Sequence, residues 1–208
     1  MKTPPARTTS FIAAATVASW VLLSVTGFDL TADMIGGFMP ARVSGLGLPG
    51  ALPVWITPLS ATLLHGGLLH LGFNMLMLVY CGRMVEAALG SAGLGVLYVV
   101  GAYAAALSQY AANPLDLSPM IGASGATSAV FGAYALLFGR PRGFATHPRI
   151  GMAINIAWLA MAWIGLQMLM GFAIAGTGVA IAIAAHIGGF LAGLLLARPL
   201  LLFRYRKA

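Results

Sequence analysis

The chain has 208 residues, 60% of them hydrophobic and only 7% charged, and its mean hydropathy is +0.94. A soluble domain of that size can neither bury so much apolar surface nor cover itself with so few charges, so the composition specifies an integral membrane protein. The net charge of +7 does not point to nucleic acid, because the basic residues are scattered between apolar segments in a pattern that orients a membrane protein.

Six apolar segments follow in chain order, at approximately 9–28, 67–89, 93–112, 122–139, 150–174 and 177–203. A helical span needs about 20 such residues, and apolarity all round favours helices over strands. The expected fold is an all-α polytopic membrane protein of six transmembrane helices, in one domain covering residues 1–208. The first segment follows Lys2 and Arg7 as a signal peptide would, but no small-residue cleavage site leads into a soluble domain, and it reads as a retained span. The longest connection, 29–64, is rich in Gly and Pro and carries Trp55, which suits an outer loop lying in the membrane interface.

Charge sets the expected orientation. With the N-terminus inside, the cytoplasmic segments hold Lys2, Arg7, Arg83, Arg140, Arg142, Arg149, Arg198, Arg204, Arg206 and Lys207, and the outer ones hold Arg42 alone. Segments 1–8 and 204–208 are then cytoplasmic, and Asp29, Asp33 and Asp116 lie outside. The single Cys81 excludes an internal disulfide.

Polar groups within hydrocarbon are costly, so each is a functional candidate. They are His65, His70, Asn74, Glu86, Ser124, Ser128, Asn155, Gln167 and His186. With four acidic residues in the chain, a paired-acid protease has no partners to pair, and no H-E-x-x-H zinc motif occurs. Histidines alone leave open a metal-binding or transport bundle. In the second segment His70 and Asn74 stand at i and i+4 on one helix face, both able to donate hydrogen bonds to an oxyanion. His65 precedes them and reads equally as a loop-pinning residue.

Ser124 opens the fourth segment in Gly122-Ala-Ser-Gly125. Alone it reads as a small packing residue. Pro119 just upstream starts the helix near Gly122, which puts the serine in the first turn beside unpaired backbone N–H groups. Gly122 and Gly125 allow unusual backbone angles and the close approach of a substrate chain. In the sixth segment Ala182, His186, Gly189, Gly193 and Ala197 share one face almost free of side chains. Such a stripe lets another helix approach closely enough for His186 to reach a serine hydroxyl.

Together these clusters resemble the rhomboid family of intramembrane serine proteases. The resemblance rests on His65, His70 and Asn74, on Gly122-Ala-Ser124-Gly125, on Ala185-His186 with Gly189 and Gly193, and on Gly82-Arg-Met-Val-Glu86. It implies a Ser124–His186 dyad without cofactor or metal, with Ser124 as nucleophile and His186 as general base and acid. His70, Asn74 and the Ser124 backbone N–H would hold the oxyanion, and Glu86 would tie the second span to a neighbouring loop. Ser128 stands where some members carry an aromatic ring on the catalytic histidine, so His186 is expected to be held by Ser128 through a hydrogen bond. Trp55-Ile56 lacks the arginine that follows this tryptophan in some relatives, which leaves the loop's anchor open. The implied partners are single-span transmembrane substrates and membrane lipid, in a bacterial inner membrane; a non-catalytic client-binding relative is the alternative.

Overall fold

The computed structural model describes residues 6–140, 147–174 and 182–206. Lys2, Arg142, Lys207 and the expected start of the sixth segment at Thr177 lie outside the described residues. Helix α1 covers Arg7–Thr26. Three short helices follow in the long connection, α2 (Asp29–Gly36), α3 (Pro40–Val43) and α4 (Thr57–Ser60), with a 3-10 turn at Ala61–Leu63. Then come α5 (Leu68–Ala112), α6 (Ser124–Phe138), α7 (Pro148–Ile174) and α8 (Ile183–Tyr205).

Four of these helices are long and apolar enough to cross a membrane, and α6 is a shorter apolar helix. The 45-residue α5 is two limbs joined at Gly90, whose φ of 79° and ψ of 164° turn the chain where a residue with a Cβ would be strained. The six apolar segments of the sequence thus correspond to α1, the two limbs of α5, α6, α7 and α8. Among the described residues the protein is helical apart from turns and one isolated bridge, between Phe38 and Met120.

Helix α6 is the centre of the molecule, with Ser124 to Ala133 and Ala135 all buried. Leu78, Val85, Leu94 and Leu97 of α5 join Val130 and Phe131 of α6, Trp163 of α7 and Phe190 of α8 in one core. Small residues let the helices close in. A Cβ on Gly193 would land on the Ala129 carbonyl oxygen, and one on Gly189 on that of Gly125.

The 29–64 connection is tied to the segment before α6. Phe38 and Met120 exchange backbone hydrogen bonds of 3.0 and 2.8 Å, Ala41 N–H donates to Asp116 O, and Gly122 N–H donates to Ala61 O at 2.8 Å. Ser60 Oγ donates to Gly36 O and Arg42 Nη2 to Leu52 O, each at 2.6 Å. The anchor left open at Trp55-Ile56 is therefore distributed: Trp55 is exposed, and its carbonyl accepts from Tyr103 Oη at 2.9 Å.

Candidate active site

The segment before α6 and the starts of α5 and α8 meet at one end of the bundle. Gly122 has φ +109°, a conformation that turns the chain into α6, and a Cβ there would stand 2.7 Å from His70 Nε2. The helix begins at Ser124 itself, two residues later than the sequence suggested. Its first backbone bond runs from Thr127 N–H to Ala123 O. The N–H groups of Ser124, Gly125 and Ala126 precede that bond and have no acceptor within the helix.

Ser124 Oγ lies 2.8 Å from His186 Nε2. Both side chains are buried, at 8% and 5% exposure. Two glycines make this contact possible by removing bulk between neighbouring helices. Gly189 sits on the Gly125 carbonyl, and a Cβ on Gly125 would strike Ala105 of α5. Gly125 is thus a packing residue between α5 and α8, where the sequence suggested room for a substrate chain. Gly193 repeats the contact one turn further along α8, against Ala129.

His70, Gly122, Ser124 and His186 line a cavity of about 40 Å³, room for a few water molecules. Gly66 N–H donates to His70 Nδ1 at 3.4 Å, which leaves the proton of the neutral ring on Nε2, the atom facing Gly122. Asn74 is one turn further along α5. Its Nδ2 donates to His70 O at 2.9 Å, and its side chain is not among the groups lining the cavity. His65 lies in the turn before α5, where its Nε2 accepts from Ala123 N–H at 3.3 Å. Burial, and then the neighbouring His70, hold its pKa well below the usual histidine range, at about 3. A neutral ring is what an acceptor for Ala123 requires, so the loop-pinning reading of His65 matches its position.

Ser128 is placed otherwise than expected. Its Oγ donates to Ser124 O at 2.7 Å and accepts from Trp163 Nε1 at 2.8 Å, and no described bond joins it to His186. The hydroxyl of a residue one turn below Ser124 reaches back to that residue's carbonyl, a common local bond for helical serine. The indole N–H of α7 then donates to the hydroxyl oxygen. Trp163 is 2% exposed, with its ring 5.0 Å from Phe131 and 5.8 Å from Phe73 between centroids. Sequence reasoning gave Trp163 no role, since a tryptophan in an apolar span carries no chemical signal of its own.

Glu86 is remote from this end. Its carboxylate accepts from Thr8 N–H, Thr9 N–H, Thr9 Oγ1 and Ser91 Oγ at 2.6–2.9 Å. The partner expected to be a loop is mainly the first turn of α1, whose unpaired N–H groups favour a negative charge.

A family model described as the Rhomboid domain matches residues 53–203. A protein named Rhomboid protease GlpG from Pectobacterium atrosepticum is 31% identical over 184 residues, 88% of this chain and 58% of that protein. Proteins of the same name from Serratia proteamaculans and Haemophilus influenzae are 34% and 33% identical over 66% of this chain, covering 45% and 65% of their own lengths. The chain thus spans less than two thirds of each of these relatives. The matched region runs from before His65 to beyond Gly193 and takes in every residue brought together around Ser124. With its apolar helices, this chain is a multi-pass membrane protein that belongs to the rhomboid family.

Proposed function

We propose that the chain is an intramembrane serine endopeptidase that cleaves transmembrane segments of membrane proteins. The 2.8 Å contact between Ser124 Oγ and His186 Nε2 carries this reading, and the names of its relatives support it. As Ser124 Oγ adds to the scissile carbonyl carbon, its proton passes to His186 Nε2. The charge growing on the carbonyl oxygen meets the Ser124 backbone N–H and His70 Nε2–H, and the amide of Asn74 joins them as a third donor once it turns from His70 O toward the cavity. Collapse breaks the C–N bond, and His186 gives its proton to the leaving amine. Water then adds to the acyl ester, its proton going to His186, and Ser124 leaves as the hydroxyl. The four acidic residues make no described bond to His186, so the scheme is a dyad.

The substrate is a single-span helix whose outer end unwinds, because an intact helix keeps its carbonyls bonded. The 15 residues of α6 rise only about 22 Å, short of a hydrocarbon core of about 30 Å. Ser124 therefore lies below the outer surface when the far end of α6 reaches the inner one. The whole chain forms one six-span domain in a bacterial inner membrane, in contact with lipid, with both termini cytoplasmic and 29–64 outside.

Reconstituted in liposomes, Ser124→Ala is expected to lose cleavage of a single-span reporter while keeping its unfolding temperature, and a fluorophosphonate is expected to label wild-type Ser124. Undiminished cleavage by Ser124→Ala removes the assignment. An intact chain that neither cleaves nor takes the label is a client-binding protein.

A further inference from the structure

Unwinding a helix within a bilayer has a consequence beyond exposing the scissile bond. Each freed carbonyl and N–H needs a partner that lipid does not supply, at a cost of several kcal/mol where none is found. The cavity must therefore offer polar groups beyond those that do the chemistry. Ser124, His186 and His70 are occupied by the reaction, and Thr62 Oγ1, also on the lining, donates to Leu59 O at 2.7 Å. The remaining polar side chain is Gln167. It is the only described residue of α7 on the cavity wall, it is 5% exposed, and its Nε2 has no hydrogen-bond partner. Gln167 follows Trp163 by one turn, so the indole bonded to Ser128 fixes the face of α7 that presents the amide.

A buried amide nitrogen with no hydrogen-bond partner destabilises the empty protein, and α7 has a second one in Asn155, which is not on the cavity wall. What sets Gln167 apart is its position in the wall of the cavity that holds Ser124 and His186, within reach of a peptide bound there. We infer that Gln167 is a substrate-binding residue, whose carboxamide N–H donates to a backbone carbonyl of the unwound peptide beside the scissile bond. This rests on the protease reading and deepens it. Because the bond is made to a carbonyl that does not react, it strengthens the bound substrate and the transition state alike, and its loss falls on KM.

The test is Gln167→Met, a swap of similar volume that removes the amide. It uses the full chain in liposomes, a single-span reporter, and a small fluorophosphonate that reaches Ser124 without needing a peptide subsite. KM is expected to rise roughly three- to tenfold, the worth of one neutral hydrogen bond, with the effect on KM and not on kcat. The unfolding temperature should hold or rise, since the unpaired amide is gone, and the fluorophosphonate should still label Ser124. An unchanged KM overturns the inference. So does a raised KM that comes with a lower unfolding temperature and slower labelling, the signature of a structural role. A wild-type chain that neither labels nor cleaves overturns the protease reading and this inference with it, whereas a labelled, active wild type beside an unaffected variant overturns this inference alone.

Discussion

Ser128 has one proton to give and donates it to the carbonyl of Ser124, the proposed nucleophile. Its oxygen accepts from the indole of Trp163, 35 positions along the chain. Both side chains are buried, each hydrogen of the linked pair has a partner, and removing Ser128 strands the indole N–H. Ser128→Ala leaves a buried indole N–H unpaired, at a cost of about 1–3 kcal/mol. Trp163→Phe keeps most of the ring but loses that donor, and the double variant has nothing left to strand. The double-mutant cycle is therefore expected to show a coupling of about 0.5–1.5 kcal/mol in unfolding measurements in micelles, and additive losses would mean that the two side chains act independently. The prominence of position 128 was legible, because a serine stands there where some members of the family carry an aromatic ring. Its partner was not, because helical spacing predicts neighbours within a helix and says nothing of which residue of a distant helix meets it.

Helices α6 and α8 approach through backbone rather than side chains, and the small-residue stripe on α8 that pointed to such an approach could be read from spacing alone. What spacing could not give is the atom on the other side. Gly193 sits against the Ala129 carbonyl and Gly189 against that of Gly125, so a methyl group at either site first meets rigid backbone. Gly193→Ala, remote from the reacting atoms, is expected to push α8 from α6 and cost about 1–3 kcal/mol. The resulting separation of His186 from Ser124 should slow fluorophosphonate labelling severalfold, which can be followed beside the unfolding midpoint. Wild-type labelling in that variant would show that the dyad's spacing does not depend on this contact. Other elements were less legible. The corner of α5 at Gly90 lacks a proline, and only a glycine between two apolar segments marked it. The short helix α3 is tied to the segment before α6 through Ala41 N–H and Asp116 O, and α4 to the end of α2 through Ser60 Oγ and Gly36 O, tertiary contacts that local propensity does not carry.

The two ends of the molecule divide the work. At one, α5, α6 and α8 present His70, Ser124 and His186. At the other, the same long helices are fastened to each other and to α1. Glu86 holds the first turn of α1 and Ser91 beyond the corner. Arg204, near the end of α8, donates to Ala87 O at 2.7 Å and packs over Gly90. Since α5 carries His70 and α8 carries His186, this fastening fixes the frame in which the site is assembled without touching a reacting atom. An ionised carboxylate accepting at both oxygens is its strongest member, and hydrogen bonds to charged groups contribute about 1.5–3 kcal/mol each. Glu86→Gln replaces one oxygen with an amide that cannot accept, so at least one of those bonds is lost while volume and shape remain. The expected result is a loss of about 1.5–3 kcal/mol of stability, read as a lower unfolding midpoint in micelles. Below the transition, turnover per fluorophosphonate-labelled site should match wild type. If turnover per labelled site falls instead while the midpoint holds, Glu86 acts on the reaction and the division between the two ends fails.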